Sequence, residues 1–114
     1  MVDDALVTPE MVERYYALLM RAGNRQATLA RLRQSPDQPE AYRQISTITA
    51  PTLVIWGDQD PWIPVSDASR FASDIQGAQK LIFPNTGHLP HEERPQESAA
   101  AVDAFLTRVY GPRP

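Results

Sequence analysis

The stretch TLVIWGDQDPWIP, residues 52–64, joins a run of apolar side chains to two carboxylates. The continuous, partly β-branched run TLVIW is typical of a strand that is covered on both faces, as in a parallel sheet. Asp58 follows this run after a single glycine, and Asp60 lies two residues further along the chain. The stretch therefore predicts a buried strand whose carboxyl end carries acidic side chains.

A second strand and two helices are predicted after this stretch. The segment KLIFP, residues 80–84, has the composition of a short strand. Between the two strands, apolar residues recur at helical spacing from Ser66, which is placed to cap a helix, to Gly77, which is placed to end it. Pro95 opens a last helix, whose apolar stripe runs as far as Gly111. The order β-α-β-α with short connections predicts a right-handed crossover and two parallel strands.

Residues 1–42 are predicted to be helical, whereas residues 43–114 contain the β-α-β-α unit. The sequence therefore divides the whole chain into these two segments. A first amphipathic helix begins after Thr8, a capping residue. Asn24 is placed to cap a second helix that ends near Gln34, before the loop sequence SPDQPE. Four apolar residues of the first helix are attributed to packing between helices and not to substrate contact: Tyr15, Tyr16, Leu18 and Leu19.

Composition excludes several classes of function. The 114 residues are 42% hydrophobic and 22% charged, which is typical of one soluble globular domain. A net charge of -3 without a basic run predicts no nucleic-acid partner and no membrane partner. No segment reaches the length of a membrane span, and the polar start lacks the features of a signal peptide. Cysteine is absent, which excludes disulfides and thiolate chemistry and favours a cytoplasmic location.

The predicted parallel strands bring two polar loops to the same edge of the sheet, outside the carboxyl ends where open sheets bind ligands. One loop holds Asp58 and Asp60; the other is NTGHLPHEE, residues 85–93, in which Gly87 permits a sharp turn into His88. Neighbouring strands lie about 4.8 Å apart, so an aspartate of one loop can reach the imidazole of the other. In such a pair the carboxylate orients the imidazole, and the imidazole moves a proton.

The segments PTLVIWGDQDPWIP and GHLPHEERP resemble the end of the α/β-hydrolase fold, in which the last acid and the histidine of a catalytic triad follow the final two strands. The resemblance implies that Asp60, within W-G-x-x-D-x-x-I-P, is the triad acid and that His88, within G-H, is the triad histidine. Asp58 lies closer to the glycine turn and is assigned a structural, loop-capping role. The resemblance covers residues 48–109, and residues 1–42 look like the helical cap that many members carry.

The nucleophile of such a triad is not found in the sequence. No glycine frames the G-x-S-x-G pattern of a nucleophile elbow. Ser66 and Ser69 lie at a predicted helix start, where capping explains them. The resemblance therefore implies the C-terminal portion of a hydrolase that needs no cofactor and acts on an ester or a similarly polarised small apolar substrate. Serine and aspartate nucleophiles both stay open, and the alternative is a non-catalytic interaction module or an inert truncated fragment.

Three apolar residues near the predicted pair are candidates for a substrate pocket, although packing under the cap would also explain them: Trp62, Ile63 and Leu89. His91 follows His88 by three residues, but Pro90 between them prevents the two histidines from lying on one face of a regular helix. No metal site is therefore predicted. Glu92 and Glu93 are attributed to favourable charge at the start of the last helix.

The predicted sheet has only two strands, which leaves exposed edges and half-covered helices. We therefore expect identical chains to associate and to cover each other's apolar surface. A small-molecule substrate is the other partner that the resemblance implies, and it would bind to the complete enzyme.

Overall fold

The computed structural model describes residues 1–34 and 39–112, without the side chains of residues 39–41. Within these residues a short 3-10 turn, Asp4–Leu6, precedes the regular elements. The helices are α1 Pro9–Met20, α2 Asn24–Arg33, α3 Pro39–Ile45, α4 Ser66–Asp74, α5 Pro90–Glu93 and α6 Pro95–Tyr110, and the strands are β1 Leu53–Gly57 and β2 Gln79–Phe83. Helices followed by a β-α-β-α unit confirm the predicted α/β class.

The two strands pair in parallel, as predicted. Their register places Leu53 opposite Gln79 and Gly57 opposite Phe83, so both strands end at the same edge of the sheet. A Cβ atom on Gly57 would overlap the backbone carbonyl oxygens of Thr86 and Gly87. Glycine at the end of β1 thus lets the loop after β2 cross directly over it, which brings the two polar loops together.

The core lies between the strands and the helices that flank them. Its buried apolar side chains are Ala68, Ile75, Phe83 and Phe105. Contrary to prediction, β1 is not fully covered, because the side chains of Leu53 to Trp56 are only partly buried. Among the described residues, helix α4 packs on the two strands and α5 contacts β1, and this is too little structure to cover both faces.

The junction between α1 and α2 corrects one capping prediction. Thr8 caps α1 as expected, since its hydroxyl accepts from the Met11 N–H at 3.2 Å. Asn24 does not cap α2, because Gly23, with φ at 87°, takes the N-cap position. The Asn24 side chain instead donates to the Leu18 carbonyl at 2.5 Å, so it satisfies the end of the preceding helix.

The start of α4 corrects a second capping prediction. Ser66 is the first residue of this helix, Val65 occupies the N-cap position, and no side chain makes a capping hydrogen bond there. The helix ends at Asp74, and Gly77, with φ at 77°, forms the turn that leads into β2.

Helix α3 crosses the predicted boundary at residue 42, so the division of the chain into two segments stays a prediction. Part of the predicted SPDQPE loop, residues 35–38, lies outside the described residues. Helices α1 and α2 pack on each other. No helix in the described part of the chain combines the length and the apolar character needed to cross a membrane.

Candidate active site

The loop after β1 holds Asp60 in a fixed position. Its Oδ1 atom accepts hydrogen bonds from the backbone N–H groups of Trp62, at 2.9 Å, and Ile63, at 3.1 Å. This local turn is a common use of aspartate. The side chain is only 3% exposed, so the backbone of its own loop replaces the water that burial removes.

The other carboxylate oxygen of Asp60 faces the loop after β2. Oδ2 lies 2.8 Å from the Nδ1 atom of His88, whose side chain is 32% exposed. The structure therefore brings together the two residues that were predicted to meet at this edge of the sheet. Because Nδ1 is bound to the carboxylate, Nε2 is the ring nitrogen left to exchange a proton with a reactant.

The electrostatics of the pair favour an ionised aspartate. Burial raises the pKa of Asp60, but the hydrogen bonds from His88 and from the backbone of Trp62 and Ile63 outweigh it, so the pKa falls below its ordinary value of 3.8. An ionised carboxylate can only accept hydrogen bonds. The proton between the two side chains therefore lies on Nδ1 of His88, which is the tautomer that a general base needs.

Backbone and side-chain bonds hold the two loops against each other. The Asp58 N–H donates to the Phe83 carbonyl at 3.0 Å, and the Gln59 N–H donates to the Thr86 carbonyl at 3.0 Å. The Asp58 carboxylate accepts from the Thr86 N–H at 3.4 Å, and Thr86 is fully buried. Asp58 thus links the loops, in agreement with the structural role predicted for it.

Comparison with known proteins identifies the fold. The sequence model of the Alpha/beta hydrolase family matches residues 2–101. The chain belongs to the α/β hydrolase family. The residues that match include both loops of the Asp60 and His88 pair, and the order of acid before histidine is the one usual in this family.

Two curated relatives of the chain are much longer proteins. A monoacylglycerol lipase of Xenopus laevis is 43% identical over 65 residues, which are 57% of this chain and 19% of the lipase. A 2-hydroxy-6-oxononadienedioate/2-hydroxy-6-oxononatrienedioate hydrolase of Cupriavidus pinatubonensis is 31% identical over 106 residues, which are 91% of this chain and 37% of that enzyme. The chain thus spans between about a fifth and two fifths of these two relatives.

A solved structure of a serine hydrolase involved in carbazole degradation is similar to this chain over most of the chain's length. The alignment has a TM-score of 0.77 and 26% sequence identity, and it covers 90% of this chain and 41% of that protein. The similarity includes the helices before β1 as well as the β-α-β-α unit, since it extends over nearly all of the chain.

The residues predicted to line a substrate pocket lie beside the pair in the chain and differ in their exposure. The Trp62 ring is centred 4.8 Å from the His88 ring, at an angle of 55°, and Trp62 is 77% exposed. Ile63 is also exposed, and Leu89 is partly buried. For all three residues a role in substrate binding stays a prediction.

Two cavities adjoin His88, and neither is lined by these three residues. The smaller, of about 110 Å³, lies at the end of β1 and is lined by Gly57, Asp60 and Pro90 together with the imidazole. The larger is an open groove of about 640 Å³ that runs from His88 along α6 to Leu106.

Glu92 and Glu93 lie in the first turn of the short helix α5, just before the last helix, and they also make specific contacts that the sequence analysis missed. Glu92 Oε1 accepts from the Arg14 guanidinium at 2.8 Å and from the Tyr15 hydroxyl at 2.9 Å. Glu93 is only 7% exposed and accepts from three backbone N–H groups. Acidic residues before a helix are common, so composition alone gives no signal for either contact.

The contact of Glu92 ties α1 to α5, next to the histidine. The hydrogen bond to Glu92 is the largest cause of the raised pKa of Tyr15. The packing predicted for four apolar residues of α1 stays a prediction: α1 and α2 pack on each other, but these side chains remain substantially exposed in the described part of the chain. The exposed fractions are 43% for Tyr15, 62% for Tyr16, 44% for Leu18 and 50% for Leu19.

The side chain of His91, three residues after His88, is exposed to solvent. Within residues 1–34 and 39–112, no group of three or more His, Cys, Asp or Glu side chains is arranged to hold a metal ion.

Proposed function

We propose that this chain is the C-terminal portion of an α/β hydrolase that cleaves an ester or a similarly polarised bond in a small apolar substrate. In that enzyme it supplies the acid and the histidine of a nucleophile-His-Asp triad. One observation carries the proposal: a buried, ionised Asp60 lies 2.8 Å from Nδ1 of His88, at the carboxyl edge of a parallel sheet. Membership of a family whose named relatives include a lipase supports the reaction class.

In this proposal each side chain of the pair has a distinct role. Where the nucleophile is a serine, Nε2 of His88 accepts its proton as the hydroxyl oxygen attacks the carbonyl carbon, and the imidazolium then gives that proton to the leaving oxygen as its bond to carbon breaks. Asp60 holds the Nδ1 proton and stabilises the imidazolium between these two transfers. In the serine case, water then attacks the covalent ester through the same two proton transfers, which frees the nucleophile and releases the acid. Where the nucleophile is an aspartate, which has no proton to give, Nε2 instead takes a proton from the water that hydrolyses the covalent ester.

The nucleophile is proposed to lie outside this segment of the enzyme. The sequence has no G-x-S-x-G pattern. Ser69 lies on α4, and its hydroxyl accepts from the Lys80 ammonium at 2.8 Å, near the amino end of β2 and thus away from the His88 edge. Whether the nucleophile is a serine or an aspartate decides between esterase chemistry and epoxide or haloalkane hydrolysis.

An activated-ester assay tests this assignment. We expect the enzyme encoded by the whole reading frame to hydrolyse p-nitrophenyl esters of short acyl chains, whereas the 114-residue chain alone stays at the uncatalysed rate, because the nucleophile and the oxyanion donors supply most of the rate enhancement. Turnover by the isolated chain that a serine-directed reagent abolishes would place the nucleophile within it. A complete enzyme inactive on every ester tested would contradict the proposed reaction class.

A second candidate function is a non-catalytic module that associates with copies of itself. The observation that favours it is the apolar groove along α6, where Val102 and Leu106 are 40% and 43% exposed. Light scattering should then give at least twice the mass of one chain. The Leu106→Glu variant should reduce it to that of a monomer, whereas Leu32→Glu on α2, a residue 76% exposed, should not change it. A monodisperse wild-type monomer would contradict self-association.

A further inference from the structure

We propose that Glu93 is a positioning residue for His88. Its buried carboxylate binds the backbone N–H groups on both sides of the histidine and thereby fixes the imidazole against Asp60. Its catalytic consequence rests on the function proposed above, whereas its effect on the orientation of the ring does not.

The contacts of Glu93 converge on the loop after β2. Oε2 accepts from the Gly87 N–H at 3.0 Å, and Oε1 accepts from the Leu89 N–H at 3.3 Å. These two residues precede and follow His88 in the chain. Oε2 also accepts from the Val2 N–H at 2.8 Å. Apart from the bond to Val2, these contacts are made with the backbone of the loop, so Glu93 acts on the ring through the peptide units at either side of it.

The close approach of this carboxylate depends on a glycine. A Cβ atom at Gly87 would lie 2.9 Å from Oε1 and 3.4 Å from Oε2 of Glu93, which is too close for one oxygen and tight for the other. The absence of a side chain at Gly87 therefore gives the glutamate access to the backbone beside His88.

The charge of Glu93 is maintained although the side chain is buried. Burial raises the pKa of Glu93, but the hydrogen bonds from the backbone of Val2, Gly87 and Leu89 outweigh it, so the pKa falls below 4.5. An ionised carboxylate offers lone pairs to all three N–H groups, whereas a neutral amide would turn one donor group toward them. Charge and shape are thus both needed to hold the loop.

Glu93→Gln tests the proposal on the chain itself through the tautomer of His88. The nitrogen-15 shifts of the ring are measured at alkaline pH, where imidazoles are neutral. We expect wild-type His88 to carry its proton on Nδ1, held by Asp60, and Glu93→Gln to give a mixture of tautomers. His91, the other of two histidines and exposed to solvent, serves as the internal reference and should not change.

Val2→Pro is the matched control. It removes one N–H donor from Glu93 but leaves both donors that flank His88, so the tautomer should stay as in the wild type. A folded Glu93→Gln chain with the wild-type tautomer would overturn the proposal, and so would an equal loss in Val2→Pro. If Glu93→Gln does not fold, Glu93→Asp is measured in its place. This variant keeps the negative charge but moves it one methylene away from the N–H groups of Gly87 and Leu89. An unchanged tautomer in Glu93→Asp would likewise overturn the proposal.

Kinetics of the complete enzyme separate this inference from the proposed function. Glu93→Gln should lower kcat about 10²-fold with little change in KM, because a misplaced base affects the chemical step more than substrate binding. If His88→Ala abolishes turnover while Glu93→Gln leaves kcat unchanged, only the positioning role fails. If Glu93→Gln alters the tautomer but His88→Ala keeps full activity, only the proposed function fails.

Discussion

Replacing His88 by alanine should lower kcat of the complete enzyme by at least about 10⁴-fold, with little change in KM. The imidazole combines an engaged Nδ1, at 2.8 Å from Asp60, with a ring that is 32% exposed. Without it no group takes the proton of the nucleophile, and the remaining activity comes from substrate binding and oxyanion stabilisation. Initial rates on an activated ester measure the effect.

The matched control for this variant is His91→Ala, which alters the exposed histidine on α5, three residues further along the chain. It should change kcat by less than about threefold, because Asp60 binds the ring of His88 and not that of His91. Thermal unfolding should show that both variants are folded. Wild-type turnover in His88→Ala would exclude His88 as the general base, and an equal loss in both variants would show that the loop and not the imidazole had been damaged.

The sequence was sufficient to predict the β-α-β-α unit because its signals are local. The run Leu53–Gly57 is apolar without interruption and ends in a glycine, and the second strand is equally short and apolar toward its end. Parallel pairing then follows because a helix connects the two strands as a right-handed crossover. Because both strands end at the same edge of the sheet, the topology alone brings Asp60 and His88 close together. Their proximity could therefore be predicted from the sequence.

The contacts that local signals do not encode were missed. Ser66 and Asn24 have the residue types of helix caps, but neighbouring residues occupy both cap positions, since propensity does not fix a boundary to one residue. Glu93 has the sequence position of a helix-end charge, and only the folded loop shows that its carboxylate is turned back toward Gly87. The burial of β1 was also overestimated, because the apolar composition of a strand predicts that it is buried but does not show which elements cover it.

Replacing Asp60 by asparagine should lower kcat of the complete enzyme about 10⁴-fold, as in triads where the amide leaves the geometry intact but selects the wrong tautomer. The Asp60→Asn side chain would keep an oxygen for the N–H groups of Trp62 and Ile63, which bind Oδ1 at 2.9 Å and 3.1 Å. It would lose the negative charge that stabilises the imidazolium. Asp67→Asn, which alters a surface ion pair with Arg70, is the matched control and should retain the wild-type rate.

The same variant has a predicted signature in the stability of the isolated chain. The pKa of Asp60 is lowered in the folded state from 3.8, so its ionised form stabilises the fold above that pH, and this contribution is lost as the pH falls through the lower, folded-state pKa. Asp60→Asn should therefore unfold more readily than the wild type at neutral pH, and the difference should vanish in acid. Denaturant titrations from neutral to acidic pH measure it. A constant difference would show that the carboxylate is not held ionised by His88 and its own loop, and the electrostatic basis of the proposed triad would fail with it.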